Sequence, residues 1–251
     1  MTKLSVNVNK IATLRNARGQ DMPNVVKVSR DIIGFGAHGI TIHPRPDERH
    51  IKKQDAYDLR KLIDEVREKG QDIEFNIEGY PSDDFLKLIE DTQPDQCTLV
   101  PDPPDVITSN AGWDLAGRSD LLKDVLGQLK SMNVRSSVFL DPADNSDSQW
   151  KALAELKPDR IELYTEAFAK SFGTDEFQGV IKGYKTLSSR AVEAGVELNA
   201  GHDLNLENLA SLIGAIPEIK EVSIELEAFT AGASIKLRTQ ISYLKSQPDT
   251  S

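Results

Sequence analysis

The chain has 251 residues, with 40 acidic against 30 basic side chains and a formal net charge of −10. That length buries one large α/β core or two ordinary ones, while the acidic balance opposes long-range attraction to nucleic acid or an anionic membrane. The single cysteine, Cys97, excludes an internal disulfide and a cysteine-based zinc cage; it is expected as a small buried apolar residue.

The opening MTKLSVNVNK has no long apolar core, and no window approaches the roughly 18 apolar residues of a membrane span. A soluble, unexported, cytoplasmic protein is expected. From there, short β-branched runs alternate with longer stretches of helical spacing. LSVNVN (4–9) reads as the first strand and 23–35 as an amphipathic helix. GFGAHG (34–39) precedes the second strand, GITIHP (39–44), so it reads as a helix stop and tight turn, not a dinucleotide cradle. His38 in that turn is expected to be structural. In 54–69, Leu59, Leu62, Ile63 and Val66 recur at helical spacing, with Asp55 in the first turn and Gly70 as the stop. The third strand is IEFNIE (73–78), and a Ser/Asp-capped helix follows at 82–92. Strands CTLVP (97–101), SSVFLD (136–141), RIELYT (160–165), VELNAG (196–201) and EVSIEL (221–226) complete the set. Helices are predicted near 119–132, 147–156, 174–194, 206–215 and 229–246.

Units of about 30 residues without a Gly/Ser-rich linker predict an α/β fold, one (β/α)8 barrel of the TIM type spanning 1–251. The tail 246–251 is expected to fray. An open doubly wound sheet lacks its glycine fingerprint here. Trp113 reads as part of a lid or a cover of the barrel rim, and Trp150 as core.

Barrel chemistry gathers at the C-terminal ends of the strands. His43 after strand 2 and His202 after strand 7, with Glu74 on strand 3, form a candidate acid–base set, because imidazole titrates near neutrality and a carboxyl inside a barrel has a raised pKa. Glu74 has a competing reading as one half of an internal ion pair with an arginine. Strands 3, 6 and 8 also carry Asn76, Glu78, Glu162 and Glu225. Arg18, Arg45 and His50 suggest a clamp for a phosphate group. Histidine spacing matches no standard metal motif, so no metal is expected.

NVNKIATLRNARG (7–19), GITIHPRPDERHI, TLVPD and NAGHDL (199–204) together resemble the pyridoxine 5'-phosphate synthase family, in order from about residue 3 to about 245. The resemblance implies a barrel with additional helices assembled as a homo-octamer. It implies condensation of 1-deoxy-D-xylulose 5-phosphate with 3-amino-2-oxopropyl phosphate to give pyridoxine 5'-phosphate, phosphate and water, without an organic cofactor. The partners are then small phosphorylated substrates. His43, Glu74 and His202 match the acid–base positions; Asn7 and Arg18 match contacts to the aminoketone phosphate; Arg45, His50 and Thr108 match contacts to the deoxyxylulose phosphate.

The sequence departs from the family in three places. Asn9-Lys10 stands where many members carry Asp-His, which leaves Lys10 a binding role; His202-Asp203 stands where His-Gly is common. Glu225-Leu226 replaces a usual Gly-His, so Glu225 lies against a phosphate, points away from it, or pairs with Lys10 across strands 8 and 1. Two other readings stay open: a divergent barrel enzyme acting on another phosphorylated ketose or amino-ketone, and a non-catalytic scaffold for phosphorylated ligands.

Overall fold

The structure, a computed structural model, describes residues 1–101, 112–144 and 146–225. Its strands are β1 (Lys3–Asn7), β2 (Gly39–Ile42), β3 (Glu74–Gly79), β4 (Gln96–Leu99), β5 (Arg135–Leu140), β6 (Arg160–Tyr164), β7 (Glu197–His202) and β8 (Ile219–Glu225). All pair in parallel, and β1 also pairs with β8, which closes the barrel in sequence order. Each expected strand is present within two or three residues of its predicted bounds.

Nine helices are described: α1 (Asn9–Arg18), α2 (Val25–Gly34), α3 (Lys53–Glu68), α4 (Asp83–Thr92), α5 (Ser119–Ser131), α6 (Asp147–Leu156), α7 (Glu166–Ser171), α8 (Phe177–Glu193) and α9 (Leu209–Ala215). α1 and α7 were not predicted. The first has little amphipathic signal, since it buries Asn9 and Arg15 beside Ile11 and Ala12. α7 is a single short element wedged before α8, with Phe168 buried in the core. The helix expected at 229–246 and the tail lie outside the described residues, as do Thr108 and Leu226. No helix among the described residues is long and apolar enough to cross a membrane.

Arg160 of β6 reaches Gln96 of β4 at 3.2 Å and Glu221 of β8 at 3.5 Å. Those strands are not its neighbours, so these side chains meet inside the barrel. Side chains alternate along a strand, and the rows that share this face are therefore polar: Ser5, Thr41, Asn76, Thr98, Ser137 and Asn199 are all buried. Several of them bond to one another, although Ser137 Oγ and Asn199 Oδ1 find no partner among the described residues. Ser5 and Thr41 hydroxyls lie 2.7 Å apart, Thr98 donates to Asn76 at 3.0 Å, and Asn199 donates to Gln96 at 3.2 Å. The opposite rows (Leu4, Val6, Ile40, Ile42, Phe75, Ile77) carry the apolar burial against the helices. Cys97 belongs to this apolar set and is fully buried.

Other sequence expectations resolve simply. His38 Nδ1 accepts from the Leu4 backbone N–H at 3.1 Å, a structural role. Trp113 is buried, donates to the Leu99 carbonyl at 2.9 Å and stacks on Tyr80, so it seals the rim rather than serving as a lid. Trp150 is partly buried against the core, with Arg190 over its ring.

Candidate active site

The C-terminal ends of β2, β3, β6, β7 and β8 deliver the titratable groups of the mouth. On β3, alternation places Glu74, Asn76 and Glu78 on the interior face, but at different depths. Glu74 opens the strand and Glu78 lies four residues further on, about 13 Å along it at roughly 3.3 Å per residue. Glu74 thus sits on the barrel floor, ion-paired with Arg135 and 3.8 Å from Arg160. This corrects its expected place beside the histidines: the arginine ion pair is what the structure contains. Glu78 occupies the mouth instead.

Glu78 is buried, and neither carboxylate oxygen has a hydrogen-bond partner among the described residues. Burial, followed by repulsion from Glu162 and Glu225 and against the attraction of His202, pushes its pKa up to about 8. Glu162 of β6, also fully buried, puts Oε1 3.5 Å from His202 Nδ1. Burial alone would depress the His202 imidazole, yet its contact with Glu162 and the fields of Glu78, Glu162 and Glu225 raise it to about 9. His202 is therefore an imidazolium at neutral pH. Its backbone φ of 84° lies in the left-handed region, a costly conformation for a non-glycine residue. Ring centroids of Phe139 and Tyr164 lie 5.2 and 6.4 Å from its own and hold the imidazole in place.

His43 has the opposite character. Burial, then the positive fields of His50, Arg45, His202 and Arg49, keeps it well below the usual imidazole range. It is a neutral base facing a charged acid across one mouth. Its backbone N–H donates to Asn9 Oδ1 at 2.9 Å, and Asn9 in turn donates its backbone N–H to Asn7 Oδ1 at 2.9 Å. Asn7 and Asn9 thereby tie the β1 and β2 rims together.

His50 lies 6.1 Å from His43, ring to ring, and burial with Arg45 and Arg49 lowers it to about 4. The loop bearing Arg45 and His50 is fastened from α1. Arg15 and Asn16 both donate to the His50 carbonyl, at 3.2 and 2.8 Å, and Arg15 forms a two-pronged buried ion pair with Asp55 at 2.5 and 2.9 Å. A cavity of about 150 Å³ opens beside His43, lined by Arg45 and Lys53 with the carboxylates Glu48 and Asp84, and by Tyr80 and Ser82. Arg45 is buried, so a guanidinium stands in a concave site able to receive an anion.

Of the other expected site residues, Lys10 and Glu225 meet as an ion pair at the mouth. Asp203 is exposed just beyond His202, its backbone held by Thr165 and Asn208. Arg18 is exposed at the far end of α1, roughly 13–15 Å along the helix from its start beside the mouth. The structure does not bring it to the histidines. Glu78 and Glu162 are the functional candidates missed as such; both were visible as carboxylates in the strand rows, and their positions toward the C-terminal ends were the available signal.

A closed barrel whose rim sets a neutral histidine, a charged histidine and a high-pKa carboxyl beside an anion-receiving cavity defines a (β/α)8-barrel enzyme working by proton transfer. The chain belongs to the family described as Pyridoxal phosphate biosynthesis protein PdxJ, whose profile matches residues 4–242. Relatives named pyridoxine 5'-phosphate synthase are 49% identical in Porphyromonas gingivalis and 50% identical in Bacteroides thetaiotaomicron, over 224 residues. Those alignments cover 89% of this chain and 89% and 90% of the relatives. Among solved structures, phosphoribosyl anthranilate isomerase matches with a TM-score of 0.60 at 14% identity, covering 98% of this chain and all of that one. The tryptophan synthase alpha chain from Legionella pneumophila gives 0.60 at 13%, covering 98% and 94%. These two likenesses concern the fold.

Two expectations follow from the geometry. A Cβ added at Gly201 would lie 2.4 Å from Glu162 Oε1, so Gly201→Ala must displace that carboxylate from His202. We expect kcat to fall about tenfold or more and the His202 titration to move down. An unchanged titration would show that Glu162 does not hold the imidazolium. Second, kcat/KM should decline above about pH 9, where His202 loses its proton. A profile flat to pH 10 contradicts an acid role for His202.

Proposed function

We propose that this chain condenses 1-deoxy-D-xylulose 5-phosphate with 3-amino-2-oxopropyl phosphate, forming pyridoxine 5'-phosphate with release of phosphate and water. The observation that carries the reading is the gathering of His43, His202 and the buried Glu78 at one barrel mouth, where burial and neighbouring charges push the two imidazoles in opposite directions. The amine of one substrate attacks the ketone of the other to give a Schiff base. Successive proton removals and dehydrations then expel phosphate and water and close the ring. His43 takes protons from carbon or oxygen, and His202 supplies them to departing oxygens. Glu78, poised near the working pH, returns protons between steps.

Arg45 and His50 receive the phosphate of the deoxyxylulose substrate, with Thr108 a further candidate from the segment beyond β4. Asn7 and Arg18 are assigned to the aminoketone phosphate, an assignment that for Arg18 rests on the family resemblance alone. Small phosphorylated substrates and a cytoplasmic homo-octamer complete this reading. Purified protein given both substrates should release pyridoxine 5'-phosphate and inorganic phosphate in equal amounts, read by mass spectrometry and phosphate assay. Turnover of neither substrate under varied pH and ionic strength would overturn the assignment.

A further inference from the structure

At the seam where β8 meets β1, the barrel carries an unusual charge arrangement. Alternation along β8 puts Glu221, Ser223 and Glu225 on the interior face, and Glu221 shows that face's direction by meeting Arg160. Glu225 therefore raises a carboxylate toward the mouth, level with Asn7 in the strand register. There it pairs with Lys10, which sits in the first turn of α1. Lys10 is the ion-pair partner found for Glu225 among the described residues. Glu225 also faces Glu78 on β3, His202 on β7 and His50 in the loop after β2, each of which feels its charge.

Barrels commonly bind phosphate at this seam, near the loops after strands 7 and 8. Here Lys10, a cation at this seam that could serve a phosphate, is already neutralised. We propose that Glu225 is a specificity-determining residue: by occupying Lys10 it makes the β8–β1 edge of the mouth admit a phosphate dianion, such as the one assigned beside Asn7, only by displacement of the carboxylate, and so disfavours phosphate bound without the rest of a substrate. The pair is half exposed, with Lys10 at 51% and Glu225 at 29% side-chain exposure, and pairs of that kind contribute little to folding. It is thus cheap to open, and suited to exchange rather than to holding the barrel together. The inference builds on the proposed function, since it concerns how that mouth selects phosphorylated substrates.

The test uses inorganic phosphate as the probe and calorimetric titration of the full chain at low ionic strength, so it needs no turnover. Glu225→Gln should raise phosphate affinity about tenfold or more by releasing Lys10. Lys10→Met should lower it several-fold, because the carboxylate is then uncompensated. The double variant should lose the gain of Glu225→Gln, and 0.5 M salt should erase most of the differences between variants, as expected for charge effects at about a 4 Å Debye length. Affinity unchanged in both single variants, or a gain that survives in the double variant, overturns the proposal. Should Glu225→Gln fail to fold, the direction of the Lys10→Met change decides alone. Failure of the wild-type chain to make pyridoxine 5'-phosphate would instead strike at the proposed reaction and leave this selectivity measurable.

Discussion

Glu78→Gln should lower kcat by about a hundredfold to ten-thousandfold, the usual range for a positioned acid–base group, whereas Glu74→Gln should leave kcat within a few-fold. Both side chains face the barrel interior from the same strand, and both are buried. Only Glu78 shares the mouth with His202, Glu162 and Glu225. Glutamine keeps the shape and a hydrogen-bonding head but cannot carry a proton to and fro. The contrast is read by steady-state kinetics on folded protein, with circular dichroism confirming each fold. Equal losses in the two variants would show that the floor and the mouth act as one unit; a full kcat in Glu78→Gln would remove it from the chemistry.

The second large effect is on stability. Arg160 contacts Gln96, Glu197 and Glu221 at 3.2, 3.0 and 3.5 Å, with Glu74 at 3.8 Å. Its side chain is 10% exposed and that of Glu221 3%. Arg160→Ala leaves buried carboxyls facing one another with less compensation, a change that costs about 3–5 kcal/mol. For a domain of this size that corresponds to a fall in Tm on the order of 10 °C. The sign of the pH dependence follows from Glu221, whose pKa burial and the neighbouring Glu74 raise well above the ordinary carboxyl value against the pull of Arg160 and Arg135. A carboxyl raised in the fold destabilises it above its unfolded pKa, and that penalty fades as pH falls toward the unfolded value. The deficit of Arg160→Ala should therefore be larger at pH 8 than at pH 5. Adding Glu221→Gln should recover part of it. A variant with wild-type Tm at pH 8 contradicts the account of the floor.

These two predictions also mark where the sequence was sufficient. The strands were legible because each pairs a β-branched apolar row with a polar row, as in IEFNIE and RIELYT, and the parallel barrel followed from their spacing. His43 and His202 were legible as mouth residues because one directly follows β2 and the other closes β7. Glu74 and Glu78 share one face by the same alternation, and periodicity says nothing of depth; strand direction separates them. The arginines that hold Glu74 on the floor come from β5 and β6, 61 and 86 positions along the chain, a pairing that no local pattern contains. α1 escaped notice because it is held by the buried Arg15–Asp55 pair rather than by an apolar stripe. The Lys10–Glu225 pair is one of three placements the sequence leaves open, and closure of β8 onto β1 is what brings its members together.

The central claim is the split in protonation between His43 and His202. The chain has only four histidines, so nitrogen-15 NMR of the imidazoles, assigned by single His→Gln variants, reads each one directly. At pH 7.5 the account predicts His202 as an imidazolium titrating near pH 9, and His43 as a neutral ring that stays neutral well below pH 6.5. A neutral His202 at pH 7.5, or a His43 that charges at the ordinary imidazole pKa, would contradict it.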